Sequence, residues 1–157
     1  MWQRLLTTSP ELTPFMLRLI LGLVILPHGL QKAFGLFGGY GFTGTMGYFT
    51  DTVGVPYVFG VLAILAETLG ALFLIFGALT RLAALAIGTT MVVAALTVHL
   101  PNGFFMNWFA NQKGEGIEYF VLATGLALAL IIQGAGAWSV DRLLSDRVVQ
   151  PATPVQG

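Results

Sequence analysis

The chain has 157 residues, 56% of them hydrophobic and only 9% charged, with no net charge and no cysteine. Soluble domains carry about 25% charged residues, so this composition lies outside their range, and the balanced charge offers no basic surface for nucleic acid. Without cysteine there is no disulfide framework, no thiolate-held iron–sulfur cluster and no cysteine nucleophile.

The length fits one domain. Residues 1–14 are expected to be a cytoplasmic N-terminal segment. Arg4 and the apolar run that follows look like a secretory signal, but Pro27-His28-Gly29-Leu30-Gln31-Lys32 offers no small-residue cleavage site. The run is therefore expected to be retained as a helix over about 15–36, carrying Arg18, His28 and Lys32. A second apolar segment over about 56–80 holds one charge, Glu67. A third spans about 82–99, and a tight hairpin at Thr80-Arg81 joins it to the second. A fourth covers about 117–140. A spanning helix needs about 20 apolar residues, so the pattern predicts an all-α bundle of four transmembrane helices. Residues 145–157 are polar, contain Pro151 and Pro154, and are expected to form a disordered cytoplasmic tail.

Orientation follows from the basic residues. With both termini in the cytoplasm, Arg4, Arg18, Arg81, Arg142 and Arg147 fall inside, and only Lys32 and Lys113 fall outside. Arg18 and Arg81 are then expected to be cytoplasmic-side anchors that snorkel to the interface. The two outer connections are rich in aromatics, among them Tyr40, Phe42, Phe104, Phe105 and Trp108. They read as interfacial anchors or as a lid over a ligand.

Helical periodicity sorts the polar residues. Arg18, Gly22, Ile25, Gly29 and Lys32 share a stripe, with His28 beside it. Glu67 shares a face with Gly60, Ala63, Gly70 and Ala71. His99 aligns with Gly88 and Ala95, and Glu118 with Leu122, Gly125 and Ala129. Small residues mark close helix contact in membranes, so four helices are expected to turn polar groups toward a shared interior. The expected cluster is His28, Lys32, Glu67, His99 and Glu118, in the outer half of the bundle, with Tyr119 next to Glu118. Three readings fit it. It is a buried ion-pair network that fixes helix register, a ligand or proton-transfer site, or a haem site held by His28 and His99. The two histidines differ in depth by several residues, and no metal is expected. No Walker, dinucleotide-binding or nucleophile-elbow motif is present.

Several stretches together carry a family resemblance. They are Arg18-Leu-Ile-Leu-Gly22 through Pro27-His-Gly-Leu-Gln-Lys32, Phe37-Gly-Gly-Tyr40, Gly44-Thr-Met-Gly-Tyr-Phe49 and Ala66-Glu67. Gly77-Ala-Leu-Thr-Arg81-Leu-Ala-Ala84, His99-Leu-Pro-Asn-Gly-Phe104, Gly116-Ile-Glu118-Tyr119 and Gly134-Ala-Gly136-Ala-Trp-Ser-Val-Asp141 continue the series. In these, from about Phe15 to Leu144, the chain resembles the DoxX family of small bacterial membrane proteins. The resemblance implies a multi-pass protein of the bacterial inner (plasma) membrane, related to membrane subunits of thiosulfate:quinone oxidoreductases. The expectation is a quinone-interacting subunit coupled to a redox partner, with quinone as the possible cofactor. His28, Lys32 and His99 are the expected donors, and Glu67 and Glu118 the proton carriers or counter-ions. The rival expectations are a non-catalytic accessory subunit of a larger membrane complex and a small-solute or proton pathway.

Overall fold

A computed structural model describes Leu6 and residues 8–149. All regular structure among the described residues is helical. Helix α1 is Leu12–Phe34, and its C-terminus is closed by Gly35 at φ 73°. A short helix α2, Gly41–Gly47, runs into a wide π turn, Tyr48–Val53, and folds back on α1. Helices α3 (Tyr57–Phe76) and α4 (Thr80–Asn102) follow. Each contains a π turn, Ala66–Gly70 in α3 and Ala95–His99 in α4. Helix α5 is Glu118–Gln133 and helix α6 is Val140–Val149.

Helices α1, α3 and α4 are long and apolar enough to cross a membrane, and α5 is a shorter apolar helix. At 1.5 Å per residue α5 is about 24 Å long, short of a hydrocarbon core of about 30 Å. The fourth helix, expected to run on to about residue 140, stops at Gln133. Gly134 and Gly136 adopt φ 83° and 73°, which end the helix although the segment is as apolar as the rest. The predicted hairpin at Thr80-Arg81 also moves. The chain turns at Gly77 and Leu79, both at positive φ, and Thr80 already begins α4. Helix α6 runs to Val149, past the expected start of the disordered tail at 145; the rest of that expectation, on 150–157, lies outside the described residues.

The helices form a ring of neighbours: α1 on α3, α3 on α4, α4 on α5, and α5 on α1. Leu21, Ile25, Leu74, Ile87 and Leu130 fill the centre, with Ala71, Ala84 and Ala127 between them. Glycines set the closeness of α1 to α3. A Cβ on Gly29 meets the Glu67 carbonyl oxygen at 2.5 Å, and one on Gly22 meets the Ala71 oxygen at 2.9 Å. Such approach gains the dispersion contacts that hold helices together in lipid.

Arg18 departs from expectation. It does not snorkel; it is 0% exposed. Its Nε donates to the Ala135 carbonyl at 2.8 Å. Nη1 donates to Leu74 and Ile75, and Nη2 to Ala137 and Trp138, at 2.5–3.0 Å. The depth argument sent a cation toward water, but carbonyls at the end of α3 and after α5 supply the solvation instead. Arg81 lies at the same end of the bundle. It is half-buried, and its Nη1 donates to the Ile131 and Ile132 carbonyls near the end of α5. Asp141 completes this end by accepting the amides of Leu79 at 2.7 Å and Thr80 at 2.9 Å.

Arg18→Met should cost at least about 3 kcal/mol, because it strands several buried carbonyls at once. Arg18→Lys should recover little of this, since an ammonium cannot reproduce the planar fork of donors. Thermal unfolding in detergent measures both, and a lysine variant as stable as the parent would refute this account.

Candidate functional site

At the opposite end of the bundle, α3 and α4 separate. They pack along Ala66–Gly70 and Ala71–Phe76 but scarcely touch along Tyr57–Leu65. Between them opens a groove of about 1080 Å³. Along α4 it runs from Leu82 to Val98, which is about 24 Å at the helical rise. Phe59, Leu69, Phe73, Ala86 and Val93 are typical of its walls. Its polar lining includes His28, Lys32, Glu67 and Tyr119, which come from three helices.

Lys32 and Glu67 form an ion pair between Nζ and Oε2. Glu67 is 3% exposed and sits in the π turn of α3. That wider turn changes the helical phase locally, and such turns recur at functional sites. Pairing of Glu67 with a cation of the first helix is what its lone charge on a small-residue face predicts. Lys32 keeps 28% of its side chain accessible. Its ammonium has three donors, and one is engaged by Glu67. His28 lies one turn before Lys32, is exposed along the groove, and has its ring 5.9 Å from that of Tyr119. The Tyr119 hydroxyl is buried and has no hydrogen-bond partner among the described residues.

His99 and Glu118 do not join this cluster. Neither lines the groove. Glu118 accepts the Met106 amide at 3.1 Å, and His99 Nδ1 lies 2.9 Å from the Glu115 carbonyl oxygen. Both shape the connection between α4 and α5. Counting residues along a helix gave their depth, but it could not show that the connection folds back and meets their polar atoms. Sequence reasoning missed Glu115 altogether. Its carboxylate accepts the Asn107 amide at 2.6 Å, and the residue lines the groove. Nothing in helical periodicity marks it, because it precedes α5. Among the described residues there is no group of three or more His, Cys, Asp or Glu able to hold a metal.

The stretch that carries Arg18, the His28–Lys32 turn, Glu67 and Arg81 lies inside a match to the DoxX family model over residues 13–100. The chain belongs to the DoxX family. Among DoxX-like relatives, "Inner membrane protein YqjF" of Escherichia coli is 34% identical over 68% of this chain and 77% of its own length. "Uncharacterized membrane protein Rv3486" of Mycobacterium tuberculosis is 31% identical over 93% of this chain and 90% of its own. "Putative oxidoreductase CatD" of Bacillus subtilis is 29% identical over 78% of this chain and 81% of its own. No solved structure matches the chain. With its apolar helices, this DoxX protein is a multi-pass membrane protein in contact with the lipid bilayer.

Removing one partner of the buried pair should cost far more than removing both. Lys32→Met leaves Glu67 uncompensated and should destabilise by about 3–5 kcal/mol. Lys32→Met combined with Glu67→Leu should regain most of that loss. Unfolding midpoints of the two variants decide the matter, and a double variant no more stable than the single would show that the pair is not coupled.

Proposed function

We propose that this DoxX protein is a quinone-interacting membrane subunit that works with a redox partner. The observation that carries the reading is the groove, an apolar slot about 24 Å long with His28, Lys32, Glu67 and Tyr119 in its lining. A quinone needs such a slot for its tail and hydrogen-bond donors for its carbonyl oxygens. His28 and the free donors of Lys32 supply the second requirement. Reduction to the quinol consumes two electrons and two protons. The electrons come from the partner, and Glu67, held by Lys32, is placed to carry protons. The name of the Bacillus subtilis relative, "Putative oxidoreductase CatD", supports a redox role. His99 is left out as a donor and Glu118 as a proton carrier or counter-ion, since neither lines the groove.

In this reading the end with Arg18, Arg81 and Arg142 faces the cytoplasm and the end with Lys32 and Lys113 faces outward. Reporter fusions after Arg147 and within residues 38–47 should report opposite sides of the membrane. Finding both on one side would break this topology, and finding the two sides exchanged would reverse it.

Quinone retained by the purified protein tests the function. His28→Ala should lower bound quinone about tenfold, the worth of one good hydrogen bond, while membrane abundance stays within about twofold. Stable co-purification with a larger complex, without quinone in parent or variant, would replace this reading with that of an accessory subunit.

A further inference from the structure

A groove open to a bilayer competes for every acyl chain that passes, so tail shape alone cannot select its occupant. Selection must lie in the polar lining. Among the described residues, three charged ones line the groove: Lys32, Glu67 and Glu115. Lys32 is neutralised by its pair with Glu67. Glu115 reaches the groove from the α4–α5 connection, fixed there by the Asn107 amide on its carboxylate and by Asn102 Nδ2 on its carbonyl oxygen at 3.0 Å. With His28 neutral, one positive and two negative charges leave the lining with an excess of one negative charge. Glu67 is buried and Glu115 is exposed, so the excess repels an anionic headgroup through surroundings that range from protein interior to water. His28 and Lys32 still offer hydrogen bonds to an uncharged acceptor.

We propose that the polar lining of the groove is a charge filter. It admits amphiphiles with an uncharged, hydrogen-bonding headgroup and turns away anionic ones, and Glu115 and Glu67 set the threshold. The proposal rests on the reading of the groove as an amphiphile site, and it adds the rule by which the groove stays clear of anionic lipid and fatty acid. Glu67 has a double part: it holds Lys32 in place and cancels the one charge that would attract an anion.

The test uses the full chain in a neutral maltoside detergent and three probes with matched tails: decan-1-ol, decane-1-sulfonate and a decyl benzoquinone. Calorimetric titration gives the affinity of each. The parent protein should bind the sulfonate at least about tenfold more weakly than the alcohol. Glu115→Gln keeps an oxygen for the Asn107 amide and should raise the ratio of sulfonate to alcohol affinity about three- to tenfold. Glu67→Gln should raise it by a similar factor, and the double variant should raise it further. A parent that binds sulfonate as well as alcohol overturns the filter, as does a ratio unmoved in the Glu115→Gln protein. Binding of the alcohol and exclusion of the sulfonate, with no binding of the benzoquinone, upholds the filter and removes the quinone. If none of the three binds, both fall.

Discussion

One guanidinium organises the bundle. Arg18 places all five of its N–H donors on carbonyl oxygens, from Leu74 and Ile75 at the end of α3 and from Ala135, Ala137 and Trp138 after α5. Leu74 also accepts the Gly77 amide at 3.1 Å, and the others lie near or past the ends of their helices, where helical donors run out. In hydrocarbon each would cost several kcal/mol if left bare. The arginine therefore solvates the helix ends, and the helix ends solvate the arginine. Asp141 mirrors this with its carboxylate on the first amides of α4, where a negative charge also suits the helix dipole. Gly77 belongs to the same construction. A Cβ there meets Arg18 Cζ at 2.9 Å and Ser139 Cβ at 2.5 Å, so the turn between α3 and α4 can pass only as glycine.

Fixing one end of the ring determines what happens at the other. Helices α3 and α4 are joined by a short turn and pinned there, so their divergence grows with distance from it. Each helix also carries a π turn with residues that line the groove, Ala66–Gly70 in α3 and Ala95–His99 in α4. The groove is the product of a closed end and an open one. Its polar residues gather where α1 crosses the opening, because Gly29 lets α1 approach the Glu67 turn closely enough for Lys32 to reach it.

Hydropathy made the apolar segments legible, and the small-residue faces made the inward side of each helix legible. The partnership of Glu67 with the first helix was readable because one charge on such a face admits few alternatives. Arg18 was not readable. A hydropathy argument knows that a cation avoids lipid, but it does not know that five carbonyls converge on one point. The end of α5 was hidden for a related reason. Gly134-Ala-Gly136-Ala is as apolar as a helix, and only its backbone conformation shows the break. His99 and Glu118 were assigned to the cluster by their small-residue faces and by depth. Their true partners, Glu115 and Met106, lie in a connection that has no period to read.

Ionisable groups inside a membrane are functional candidates by default. Hydrogen-bonding capacity sorts them in this chain. Arg18 has no donor left and no exposed surface, so it can act on nothing but the fold. Glu118 holds the Met106 amide and stands clear of the groove. His28 is open to the groove, and Lys32 has donors to spare after meeting Glu67. Unused capacity facing a cavity distinguishes a binding group from a structural one more sharply than burial or charge. By that measure the end of the bundle closed by Arg18 is framework, and in the proposed reading a membrane-borne molecule is recognised where α1 meets the turn around Glu67.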